Sequence, residues 1–133
     1  MRACLDSWAI LCWLDGEEPG AGVVDDVLAR ERPEVSWINL VEVHYRTSRD
    51  HGAENADRAL DELRPRITEN LPKVSAMRTA AALKAQHPMA LADCFAVALA
   101  AAEHAELLTG DPEIIDLAGQ LPCEVRDLRP ASG

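Results

Sequence analysis

The stretch "RACLDSWAILCWL", Arg2 to Leu14, sets the fold because its character changes at one point. Residues 2–5 form a short apolar run, the mark of a buried strand, and Asp6-Ser7 then offers a helix cap. Trp8 to Leu14 follows as the helix. The same order returns near the other end in "AELLTGDPEI", Ala105 to Ile114, which reads as strand, turn and helix start. There Asp111 is the cap, Pro112 takes the first helical position, and an acid follows in the first turn.

The sequence between and beyond these junctions alternates in the same way. "DGEEPGAG" (residues 15–22) reads as a loop, and residues 23–30 as an amphipathic helix with apolar positions at 23, 24, 27 and 28. "EVSW" (Glu34 to Trp37) is a second strand, Ile38 to His51 a helix ended by Gly52, and Ala53 to Arg64 another, stopped by Pro65. "RITENL" leaves room for a brief strand. Pro72 suits the opening of a helix running to about Gln86; after the break at Pro88, Met89 to about His104 reads as the next helix. "CEVRDL" is the last strand, and the final "RPASG" looks loose. Short strands alternating with helices imply one α/β domain over residues 1–133, a short central parallel sheet with helices on both faces. In such folds ligands bind beyond the carboxyl ends of the strands, near the switch point. Asp6 and Asp111 are therefore expected to face one crevice.

Composition narrows the partners. At 133 residues and 48% hydrophobic content the chain can build one core, made of Leu, Val, Ile and Ala because Phe and Tyr occur once each. No apolar run approaches the roughly eighteen residues needed to cross a bilayer, and Asp6 interrupts any signal-peptide core. Cys4, Cys12, Cys94 and Cys123 lie in or beside apolar runs without a C-x-x-C pair, as expected of reduced core cysteines in a cytoplasmic protein. They share no ligand spacing with His44, His51, His87 or His104, which argues against zinc. The net charge of −10 opposes a bulk electrostatic grip on nucleic acid. It is uneven, however: residues 44–87 carry eight of the thirteen basic residues against six acids.

Four acids stand out. Asp6 and Asp111 each have a structural explanation as helix caps, but a capping carboxylate keeps an oxygen free. Glu42, inside "WINLVEVHY", can pair with Arg46 at i,i+4. Asp93 is the only charge in the fourteen residues "MALADCFAVALAAA", and its neighbours at one turn (Met89, Ala90, Ala96 and Val97) cannot pair with it. Nearness to the helix start helps it by up to about 1 kcal/mol, against several kcal/mol for burying an unpaired carboxylate. If the four converge, each like-charged pair at about 4 Å repels by roughly 4 kcal/mol at an effective dielectric near 20. Only a bound cation or altered protonation makes that tolerable. Oxygen ligands without His or Cys favour Mg²⁺ or Mn²⁺.

These residues resemble the PIN-domain family, and within it VapC-type toxins of toxin–antitoxin pairs. The resemblance runs through "CLDSWAILCWL", "INLVEV", "LADCFAVALA" and "LLTGDPEI" and covers nearly the whole chain. It implies a magnesium-dependent ribonuclease, with Mn²⁺ as a possible substitute, whose acidic site is Asp6, Glu42, Asp93 and Asp111. Asp6 and Asp93 would be the most direct metal contacts, with Glu42 and Asp111 holding a water or second ion, and metal-activated water would expel the 3′ oxygen. Ser7 and Thr109 flank two of the acids and are candidates to orient them; Asp116 is a further acid of unassigned place. The resemblance also implies a homodimer and a small antitoxin that fills the site. Arg46, Arg49, Arg64 and Arg66 are candidate contacts to the RNA backbone, or ordinary solvated residues.

Other classes fit less well. "GAGVVD" from Gly20 lacks the third glycine of a dinucleotide fingerprint and follows an acidic loop. A phosphoacceptor receiver domain would need a second acid beside Asp6 and a lysine after the fifth strand. A catalytically inactive PIN fold that only binds a partner, or a PIN nuclease outside any toxin pair, remains as the alternative.

Overall fold

A computed structural model describes residues 2–131 of the chain; part of the terminal "RPASG" lies outside the described residues. The elements run β1 (Ala3–Leu5), α1 (Ser7–Asp15), α2 (Gly20–Arg30), β2 (Glu34–Ser36), α3 (Trp37–His51) and α4 (Ala53–Leu63). A 3-10 turn at Arg64–Arg66 leads into β3 (Thr68–Asn70), followed by α5 (Val74–Gln86), α6 (Leu91–Ala102) and β4 (Glu106–Thr109). The chain closes with α7 (Pro112–Ile115), a 3-10 turn at Ala118–Gln120, and β5 (Glu124–Asp127).

All five strands are parallel, in the order β3-β2-β1-β4-β5. The chain builds outward from β1 to β2 and β3, then returns to lay β4 on the free side of β1. That reversal puts the switch point between β1 and β4, where Ala3, Cys4 and Leu5 lie opposite Glu106, Leu107 and Leu108. Alternation along the strands feeds two cores. Ala3, Leu5 and Leu108 join Ile10, Val24, Val43 and Leu63 on one face, beneath α1 to α4. Cys4 and Leu107 join Leu83, Met89, Val97 and Ile114 on the other, beneath α5 to α7. Both faces being covered is why β1 and the middle of β4 are apolar on both sides. The four cysteines are free thiols, three of them buried, and burial pushes the Cys123 thiol up to about 11. Among the described residues no helix is long and apolar enough to cross a membrane.

Several boundaries differ from those expected of the sequence. α2 begins at Gly20 and not at residue 23, because its first turn packs on α1: a Cβ at Gly20 would lie 2.7 Å from Cys12 Sγ. Trp37 belongs to α3 and not to β2, since the Ser36 side chain accepts from the Ile38 N–H at 3.3 Å and starts the helix there. α5 begins two residues after Pro72, with Lys73 at its cap. α6 is shorter at both ends, and past it His104 takes a left-handed backbone with φ of 51°.

The buried polar end of the sheet is a network of its own. Glu34, 2% exposed, receives Arg2 and the Asn70 amide, and Arg2 also reaches Glu103 at 3.3 Å. At the opposite end the indole of Trp8 packs on Gly110, leaving no room for a β-carbon.

Gly110→Ala is therefore expected to destabilise the fold by about 1–3 kcal/mol through overpacking, with a shift in tryptophan fluorescence. Gly22→Ala, where only the flexible end of Glu18 is near, should be neutral or slightly stabilising. Equal thermal midpoints for the two variants would contradict the packing described.

Candidate metal centre

β1 ends at Leu5 and the next residue, Asp6, caps α1, its Oδ1 accepting from the Ala9 N–H at 2.8 Å. β4 ends at Thr109, whose hydroxyl donates to Asp6 Oδ2 and accepts from the Asp111 N–H at 3.0 Å. Asp111 in turn caps α7, accepting from the Glu113 N–H at 2.9 Å. The two strand-end acids thus face one crevice, joined through a buried threonine. α6 enters the same place with Asp93 in its first turn, and α3 with Glu42 in its second.

The field of these acids is visible in their protonation. Asp6 is fully buried, and loss of hydration outweighs its hydrogen bonds to Thr109 and Ala9; with the charges of Asp111 and Glu42 added, its pKa rises to about 7. Asp93, 5% exposed, is raised to about 8 by burial, then by the charges of Asp111 and Asp6, by a hydrogen bond shared with Asp111, and by Glu42. All four acids therefore share one field. Asp93 Oδ2 is also buried with no hydrogen-bond partner. A buried carboxylate oxygen without a donor, beside other acids, is the environment a cation relieves.

Ligand oxygens of Asp93, Asp111 and Glu113 lie within 4.8 Å of one another. The donor set is all oxygen, which suits a hard divalent ion. Glu113 has no part in the sequence reading beyond a first-turn acid; here its Oε2 also accepts from the Ala90 N–H at 3.1 Å, tying α7 to the start of α6. Asp6 and Glu42 are not in that close trio. Ser7 does not orient an acid: its hydroxyl bonds to the Asn39 carbonyl at 3.4 Å and receives the Asn39 amide at 3.0 Å. Asp116, exposed at the end of α7, lies outside the trio, and its charge bears on Arg129.

The basic residues divide into two groups. α3 and α4 form an antiparallel hairpin, tied midway by His44 Nε2 and Asp57 Oδ1 at 2.8 Å. Arg46 and Arg49 lie toward its tip on the stripe continuing from Glu42, with the Arg49 guanidinium 5.8 Å from the Tyr45 ring centre. Arg64, over the Trp37 ring and paired with Glu69, marks the base. Twelve helical residues, about 18 Å, separate Trp37 from Arg49. Arg66 turns to Trp13 and Asp25.

The PIN domain family matches residues 3–120. No curated protein sequence matches the chain. Solved structures do: VapBC2 from Rickettsia felis, bound to a DNA fragment from its promoter, has a TM-score of 0.77 at 15% identity over 97% of this chain and 100% of the other. DNA-bound VapBC from Salmonella typhimurium has a TM-score of 0.75 at 15% identity, covering 97% and 99%. VapBC-1 from nontypeable Haemophilus influenzae has 0.71 at 22% identity, covering 96% and 98%. At these identities the likeness is one of fold.

The raised acids make a prediction for cation-free protein. A free aspartate titrates near 3.8, whereas Asp6 and Asp93 titrate near 7 and 8 when folded. The folded chain holds these protons more tightly than the unfolded chain, so stability is full below about pH 4 and lost as pH rises through the folded values. Chelator-treated protein should lose thermal midpoint between pH 5 and 8, and Asp93→Asn should flatten that slope. Mg²⁺ added at pH 8 should restore the midpoint in the wild type only. Identical slopes for wild type and variant would contradict the charge coupling.

Proposed function

Because the chain belongs to the PIN-domain family, we propose that it is a Mg²⁺-dependent endoribonuclease, the toxin of a toxin–antitoxin pair. Asp6, Glu42, Asp93 and Asp111 are its acidic centre. One observation carries this reading: Asp93 is buried with an unpaired oxygen, within the field of three other acids from three other segments. A fold selected only for stability gains nothing from such a group, while a cation site requires it.

Asp93 and Asp111 are the proposed ligands at the centre, with Glu113 completing the trio at the rim. Asp6, each of whose oxygens accepts one hydrogen bond and keeps a lone pair, is proposed as a contact beside them, as expected of the sequence. Glu42 sits half-buried on α3 as the fourth acid. A bound Mg²⁺ or Mn²⁺ supplies charge neutralisation and Lewis acidity for phosphodiester hydrolysis. Asp6 and Asp93, protonated near neutral pH in its absence, give up protons as it is taken up, so cation binding is pH-dependent. Arg46 and Arg49, on the same stripe of α3 as Glu42, are proposed contacts to RNA phosphates.

The proposed partners are a small antitoxin and a second copy of the chain. The solved neighbours are VapBC complexes, which supports the first. Trp37, Val41 and Tyr45 leave an exposed apolar strip over a groove of about 260 Å³ between α3 and α4, suited to the apolar face of a partner helix. Leu71, Val74 and Met77 form a separate exposed apolar patch around the start of α5, which supports a self-association surface.

Purified protein is expected to cleave RNA with Mg²⁺ or Mn²⁺ and to stop when the ion is chelated. Asp93→Asn should lower cleavage by at least about 100-fold, the scale of losing a principal charge-bearing group in catalysis, while keeping the fold by circular dichroism. Cleavage indifferent to that change or to chelation would defeat the nuclease assignment. The toxin role has its own test: expression of the chain alone should arrest growth, and co-expression of its antitoxin should relieve it. Growth unaffected in both cases would leave a nuclease outside any toxin pair.

A further inference from the structure

The acids are not the only polar groups buried at the switch point. Asn39, on α3 three residues before Glu42, is fully buried. Its Nδ2 donates to Ser7 Oγ at 3.0 Å and to the Ala92 carbonyl at 3.3 Å. Ser7 follows Asp6, and Ala92 precedes Asp93. One amide on the helix bearing Glu42 therefore joins the two segments that carry the two most perturbed acids. The Ala92 carbonyl only accepts, which fixes Nδ2 toward it and leaves Oδ1 on the other side. That Oδ1 has no partner, and among the described residues the only other buried side-chain oxygen or nitrogen without one is Asp93 Oδ2.

Stability alone does not account for asparagine here. Leucine has the same number of side-chain heavy atoms and would remove the unpaired oxygen. It would strand nothing else, because Ser7 Oγ keeps its bond to the Asn39 main chain, and the Ala92 carbonyl, inside α6, keeps its helical donor. Replacing a partly satisfied buried polar group by an apolar group of the same shape is neutral or stabilising. The amide is instead placed to hold α6 at a set distance from the start of α1.

We propose that Asn39 is a positioning residue of the acidic centre, fixing the spacing of Asp6 and Asp93 by bridging Ser7 and Ala92. The inference rests on reading the acids as a cation site. Its consequence is specific: without the bridge the first turn of α6 relaxes away from α1, and the affinity for a divalent ion falls while the fold stays intact.

The test is calorimetric titration of Mn²⁺ into the full, chelator-treated chain. Asn39→Leu should keep or raise the thermal midpoint and weaken Mn²⁺ binding about 10-fold, the usual scale for losing an orienting partner of a ligand. Asn39→Ser, too short to span both partners, should show the same loss if leucine crowds the core. Leu63→Ala, a buried change on α4 that leaves the Asn39 side chain and both its partners in place, should lower the midpoint and leave the affinity of folded protein unchanged. A folded Asn39 variant that binds Mn²⁺ within twofold of wild type overturns the positioning role. Wild-type protein that binds no Mn²⁺ overturns the cation reading of the site, and with it this inference.

Discussion

The parallel pairing of β1 with β4 governs what this molecule can do. With Leu5 opposite Leu108, the residues just past the two strands arrive side by side, and the Thr109 hydroxyl reaches Asp6. A slip of one residue would exchange the two faces of either strand and carry Leu5 out of one core and Leu107 out of the other. Packing of Ala3, Leu5 and Leu108 in one core and of Cys4 and Leu107 in the other therefore holds the strand ends where Thr109 reaches Asp6. The meeting place of the acids at the switch point is a by-product of a register enforced by hydrophobic burial.

The acidic centre works against that stability. Burial and neighbouring charges hold Asp6 and Asp93 near 7 and 8, far above the 3.8 of a free carboxyl, so keeping either charged opposes folding. The surrounding structure offsets this with two full cores, with helix caps at Asp6 and Asp111, and with the Glu113 tie to the start of α6. The same capping bonds orient the carboxylates. Asp6 and Asp111 thus have a structural role as caps, while Asp93 has only the dipole of its helix to favour its charge.

Charge is arranged to match. The chain carries −10 overall, yet Arg46 and Arg49 extend outward from Glu42 along an exposed helix, and Tyr45 beneath Arg49 adds an aromatic face. Arg64 and Arg66 are drawn to Glu69 and Asp25 and to the faces of Trp37 and Trp13. Four arginines of similar appearance in the sequence thus have different settings: Arg46 and Arg49 follow Glu42 along α3, with Arg49 paired to Asp50 at 3.1 Å, while Arg64 and Arg66 are engaged by Glu69 and Asp25.

The sequence by itself determined the strand–cap–helix junctions at Asp6 and Asp111, the alternation of elements, the buried free cysteines, and the anomaly of Asp93. These are local properties: periodicity, capping and the absence of a pairing partner within one helical turn are all readable over a few residues. Only the tertiary structure decided that Ser7 serves Asn39 and not an acid, that Glu113 stands beside Asp93, and that the arginines part company. It also decided the early start of α2, which depends on contact between Gly20 and Cys12. Most of these join residues far apart in the chain, as Asn39 joins Ser7 and Ala92. Such contacts exist only once strand order and register have set the helices against one another, and no local pattern encodes them.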